Sequence, residues 1–131
     1  MRRAVEEVVN EGNLAVIDEL VAEDFVDHTP LPDLPPNRAG IRHTIRMMRE
    51  AFPDIEVTNE ELVAEGDMVV ARQITRGTHK GKFMGVPPTN KQVEWTGILM
   101  FRIADEKIMD QWLEQDVMGL MQQLGAAPEP G

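Results

Sequence analysis

The sequence predicts an α+β fold in which N-terminal helices pack on a curved antiparallel sheet and enclose one apolar pocket. Three observations carry that expectation. Apolar residues before Pro53 recur at helical spacing, those after it alternate as in strands, and the strand-like runs are joined by short turns. Helices first and strands afterwards describes a meander with helices on one side, not a βαβ array.

Taken in order, residues 2–10 and 14–22 read as helices. Val5, Val8 and Val9 share a face of the first, and Leu14, Ile17, Leu20 and Val21 share a face of the second. Gly12 stops the first helix, and Asn13 is the expected N-cap of the second. The stretch Asp24-Phe25-Val26-Asp27-His28-Thr29-Pro30 is too short and too acidic for a helix. Pro30, Pro32, Pro35 and Pro36 make residues 30–37 a stiff loop. Ile41, Ile45, Met48 and Phe52 return to helical spacing, which predicts a third helix over 39–51, ended by Pro53. Strand-like alternation then runs over 55–63, turns at Glu65-Gly66-Asp67 and resumes over 68–79. Gly81, Gly85, Pro87 and Pro88 mark a loop. Further strands are expected over 93–103 and 107–116, and a last helix over 117–124 closes at Gly125. One domain, 1–125, with a frayed tail over 126–131, suits the 131-residue length.

The run 93–103 is apolar on both faces: Trp95, Leu99 and Phe101 on one, Ile98 and Met100 beside Thr96 on the other. Helices can cover only one of these, so a homodimer through the sheet is expected. Composition narrows the function. A net charge of −10 disfavours nucleic acid and anionic membrane as partners. No apolar run is long enough to span a bilayer, and Met1 to Glu7 lack a signal-peptide core, so a cytoplasmic location is expected. Cysteine, serine and tyrosine are absent, which removes thiolate metal sites and serine or cysteine nucleophiles. The three histidines have neither HxH nor HExxH spacing, and no phosphate-binding or dinucleotide fingerprint is present, so no metal or cofactor is expected.

The candidate chemistry gathers on the last strand. Asp110, Trp112, Glu114 and Asp116 alternate onto one face. A carboxyl at Asp116 set against Trp112 and apolar walls would suit general acid/base work; equally, Asp116 stands where it can cap the helix beginning at Val117. His28, beside the proline loop, either polarises a substrate oxygen or anchors the loop, and His79, next to a glycine-rich loop, has the same two readings. The nine methionines suit a soft apolar lining.

Several segments together resemble one family: Gly77-Thr78-His79-Lys80-Gly81-Lys82-Phe83-Met84-Gly85-Val86-Pro87-Pro88-Thr89, then Val93-Glu94-Trp95-Thr96-Gly97-Ile98. So do Phe101-Arg102-Ile103, the stretch from Lys107-Ile108 through Trp112 to Asp116, and Gly119-Leu120-Met121-Gln122-Gln123-Leu124-Gly125. With Phe25-Val26-Asp27-His28-Thr29-Pro30 and Phe52-Pro53-Asp54, these resemble the SnoaL-like polyketide cyclase (ester cyclase) family. The resemblance implies an NTF2-like cone, a dimer, and intramolecular aldol cyclisation of an apolar, carbonyl-rich molecule without metal or cofactor. The same cone also suits a non-catalytic small-molecule binding protein, or a cofactor-free hydrolase or isomerase for which Arg102, Asp110 and Glu114 could supply the groups. It implies that Asp116 is the acid/base and that His28 lies in the pocket. Face alternation adds Thr96, Met100, Trp112 and Glu114, with His79, as expected substrate contacts. Asn90 and Glu106 stand where many relatives have glycine in turns, a local matter of loop geometry.

Overall fold

The computed structural model describes residues 4–125; the expectations for residues 1–3 and for the tail over 126–131 lie outside the described residues. The chain opens with a π-helical segment, Ala4–Asn10, then α1 (Ala15–Leu20), β1 (Val21–Asp27) and α2 (Arg38–Ala51). Four further strands, β2 (Glu56–Glu65), β3 (Met68–Thr78), β4 (Gln92–Ala104) and β5 (Lys107–Gln115), precede α3 (Val117–Leu124). The sheet has five strands in the order β1-β5-β4-β3-β2. The expected meander is its antiparallel part, β2 to β5.

Two expectations near the N-terminus are corrected. The second helix stops at Leu20, and Val21–Asp27 forms a fifth strand that pairs parallel to β5. Its local signal is poor because Glu23 and Asp24 interrupt the apolar positions. Pairing with β5 and burial of Val21, Phe25 and Asp27 decide the conformation. Asn13 does not cap α1; Leu14 occupies that position without a side-chain bond. The capping residue of α2 is Asn37, whose side chain accepts from the Gly40 amide at 3.3 Å. Gly40 is required for a further reason: a Cβ there would overlap the Pro35 carbonyl, so the proline loop lies directly against the helix.

Helices cover one face of the sheet. The buried side chains form two clusters rather than one. The first joins Val16, Ile17 and Phe25 to Leu99, Phe101 and Ile108. The second joins Phe52, Ile55, Phe83, Trp95, Leu120 and Leu124. Phe52 is its hub, with the rings of His79, Phe83 and Trp95 centred 5.2 to 5.6 Å away. On the other face, register aligns Val63, Val70, Met100 and Trp112 in one row across β2 to β5.

The β4–β5 hairpin turns through Asp105 and Glu106, at φ of 51° and 64°. Positive φ at both central positions is the turn geometry that favours glycine at the second. Glutamate there carries left-handed strain of about 1 kcal/mol. Glu106→Gly is therefore expected to raise stability by no more than about 0.5 kcal/mol, since glycine's greater freedom in the unfolded chain offsets much of the relief. Urea unfolding midpoints of the two proteins check it.

Candidate active site

Between the helices and the inner face of the sheet lies a cavity of about 340 Å³. It separates the two core clusters and is walled by members of both, among them Ile17, Phe25, Leu99 and Phe101 from the first and Ile55 and Phe83 from the second. Ile41, Ile45 and Met48 of α2 border it from the helical side. The two-residue period of the strands puts Leu99, Phe101, Gln111 and Leu113 on this face, and register pairs Leu99 with Leu113 and Phe101 with Gln111.

Polar groups in the wall are few, and several are already engaged. Thr44 donates to the Gly40 carbonyl at 3.0 Å, and Gln73 donates to Asn59 Oδ1 at 2.9 Å. At the end of β1, Asp27 lines the cavity and is only 9% exposed. Its Oδ1 accepts from the Thr29 amide at 3.0 Å and from the Thr29 hydroxyl at 3.4 Å. The same hydroxyl accepts from the Leu113 amide at 2.8 Å, which ties this corner to β5. Gln111 stands beside Asp27 in the parallel pairing.

The residues expected from sequence are distributed differently. Asp116 caps α3: Oδ1 accepts from the Gly119 amide at 2.8 Å, and the side chain is exposed and off the cavity wall. Gly119 permits this, since a Cβ there would overlap the Asp116 carboxylate. Of the two roles open to Asp116, the geometry is that of the cap. The pocket placement of His28 is also corrected. Asp27 takes the inward position, so the next residue points outward; His28 Nε2 lies 2.9 Å from Asp110 Oδ1, and its ring stacks on Trp112 at 4.4 Å. Thr96, Met100 and Trp112 alternate onto that same outer face and are absent from the cavity wall, because the helices cover the face of Trp95, Leu99 and Phe101. His79 is fully buried against Phe52, with Nδ1 accepting from the Thr89 amide at 3.2 Å, and does not line the cavity. Glu114 does border it, at an exposed position.

Asp27, Thr29 and Gln111, like Thr44, Gln73, Thr75 and Gln115, line the cavity without having been expected there from sequence. A signal was present: Asp27 is two residues from Phe25, so the two share a strand face. Among the described residues, no cluster of three or more His, Asp or Glu side chains is placed to hold a metal ion. No described helix is long and apolar enough to cross a membrane.

The family model for SnoaL-like polyketide cyclases matches residues 1–124. A nogalonic acid methyl ester cyclase from Streptomyces nogalater is 28% identical over 128 residues, covering 88% of each chain. Among solved structures, IdmH from Streptomyces antibioticus, a candidate polyketide cyclase, is 36% identical with a TM-score of 0.80, covering 91% of both chains. TsrD from Streptomyces laurentii is 30% identical with a TM-score of 0.83, covering 91% of this chain and 87% of its own.

On the outer face, Asp110 is held by His28 and by Arg102, whose Nε donates to Oδ2 at 2.5 Å. The His28 hydrogen bond, opposed by partial desolvation and reinforced by Arg102, keeps the Asp110 carboxyl below its ordinary value of 3.8. A carboxyl lowered by folding stabilises the native state above its unfolded value, and that contribution is lost as pH falls through the folded value. Asp110→Asn is expected to cost about 1 kcal/mol at pH 7. The gap from the parent should close as pH falls below about 4. Urea titrations across that range check both the sign and the window.

Proposed function

The chain belongs to the SnoaL-like polyketide cyclase family, and on that footing we propose that it is a cofactor-independent acid/base enzyme closing a ring within an apolar, carbonyl-rich small molecule. The observation that carries this reading is the cavity of about 340 Å³, apolar over most of its wall, with Asp27, Thr29 and Gln111 gathered in one corner. Its volume is that of a small-molecule site, and a mostly apolar wall with few polar groups is the usual chemistry of one.

An intramolecular aldol closure asks little more of a protein. The substrate must be folded so that a nucleophilic carbon meets a carbonyl, which shape alone supports. A proton must leave the carbon next to one carbonyl and reach the oxygen of another, which takes one carboxylate and a hydrogen-bond donor. Glu114, bordering the cavity at an exposed position, is proposed as a substrate contact at the entrance. We also assign the apolar outer row of Val63, Val70, Met100 and Trp112 to a homodimer contact, on the face of the sheet opposite the cavity.

The test uses nogalonic acid methyl ester, the compound named for the Streptomyces nogalater relative, together with smaller aromatic polyketide esters. The expected product is an isomer of unchanged mass and altered retention, because aldol closure loses no atoms. Ile45→Trp, which fills the cavity from α2, is expected to lower turnover at least tenfold through loss of binding. Saturable binding without a product would make the protein a carrier of such molecules. An Ile45→Trp protein with full turnover would move the site elsewhere.

A further inference from the structure

Resting on that acid/base reading, the geometry points to Asp27 as the group that takes and returns the proton in the cavity, with the Gln111 side-chain amide as donor to the oxygen that becomes charged.

Two carboxylates border the cavity, Asp27 and Glu114. Glu114 is exposed, and a base there works in competition with water. Asp27 is nine-tenths buried. Its position is fixed on three sides. Its own amide donates to the Pro36 carbonyl at 3.0 Å, which docks the proline loop on β1. Thr29 holds Oδ1 through its amide and its hydroxyl. The Thr29 hydroxyl accepts from the Leu113 amide, so its own proton is free to point at Asp27.

Nothing among the described residues engages the other oxygen, Oδ2, and no cationic side chain pairs with Asp27. Stability does not account for that arrangement. A buried carboxylate without a cation is costly, and an asparagine would take the same Thr29 bonds. What the carboxylate adds is an uncommitted basic oxygen, held rigidly by the backbone in an apolar cavity. Gln111 is its register partner on β5, lines the same cavity, and spends none of its side-chain donors on a described residue.

The step balances without an oxidant or a metal. Oδ2 takes a proton from the carbon next to one carbonyl, and the C–H electron pair becomes an enolate. The enolate carbon attacks a second carbonyl carbon, forming the C–C bond and moving the C=O pair onto oxygen. Gln111 donates to that oxygen as charge develops, and Asp27 returns its proton to the resulting alkoxide.

The experiment follows α-hydrogen exchange of 2-tetralone, an apolar bicyclic ketone, in D2O by proton NMR, so the natural substrate is not needed. The parent protein is expected to accelerate exchange above the buffer rate. Asp27→Asn, which keeps an acceptor for Thr29, is expected to lose at least about 100-fold of that acceleration while still binding the ketone. Asp27→Ala is expected to regain exchange on addition of formate, a response no purely structural role would give. Asp116→Asn, which retains a capping side chain, should match the parent. Exchange retained within about threefold in Asp27→Asn, or an Asp27→Ala protein indifferent to formate, would overturn the assignment and leave the acid/base reading standing. A parent protein that binds the ketone and exchanges nothing would overturn both.

Discussion

The alternation of β4 and β5 governs the whole molecule. Leu99 faces Leu113 on one side of the sheet, and Met100 faces Trp112 on the other. Because the period is two, a slip of one residue would exchange the sides and leave the helices facing Trp112, Met100 and Asp110. The register observed puts Leu99, Phe101 and Leu113 under the helices and leaves Asp110 with its histidine and arginine on the outer face. The helices meet that apolar floor at two places, through Val16 and Ile17 of α1 at one cluster and through Ala51 of α2 and Leu120 of α3 at the other. The space left between the clusters is the cavity. Core and site are thus one surface, filled by side chains where the helices touch it and empty where they do not.

The same alternation separates the charged chemistry. Neighbours on β1 point opposite ways: Asp27 inward to an apolar space and His28 outward to Asp110 and Trp112. The outward carboxylate, Asp110, has a histidine and an arginine beside it. The inward one, Asp27, has a threonine. Ion pairing suits a carboxylate that holds strands together at a wet surface, whereas a proton-transfer group needs a free oxygen and a restricted one. The two acids therefore differ in role because they differ in which face of the sheet they occupy.

Much of this fold could be read from the sequence, for physical reasons. The third helix and the four later strands are long and strongly periodic, and Pro53 separates the two regimes cleanly. β1 escaped because seven residues, two of them acidic and exposed, give too little local pattern, and its strand character comes from pairing with a segment over eighty residues away. The site was harder. Both faces of β4 are apolar, so alternation alone does not say which one meets the helices, and Thr96, Met100 and Trp112, expected to face inward, lie outward. In the stretch containing His28, it is Asp27, sharing parity with Phe25, that faces the cavity. Asp116 had two readings from sequence, and the bond to the Gly119 amide distinguishes them.

The central claim is that the inner face, and not the outer one, is where an apolar ketone binds. Methyl NMR of protein labelled at Ile, Leu, Val and Met, titrated with 2-tetralone, tests it most directly. Saturable shifts at Ile41, Ile45, Met48, Leu99 and Leu113, with Ile98, Met100 and Val63 unmoved, are the predicted result. Shifts confined to Ile98, Met100 and Val63 would place the ligand on the outer face and contradict the account.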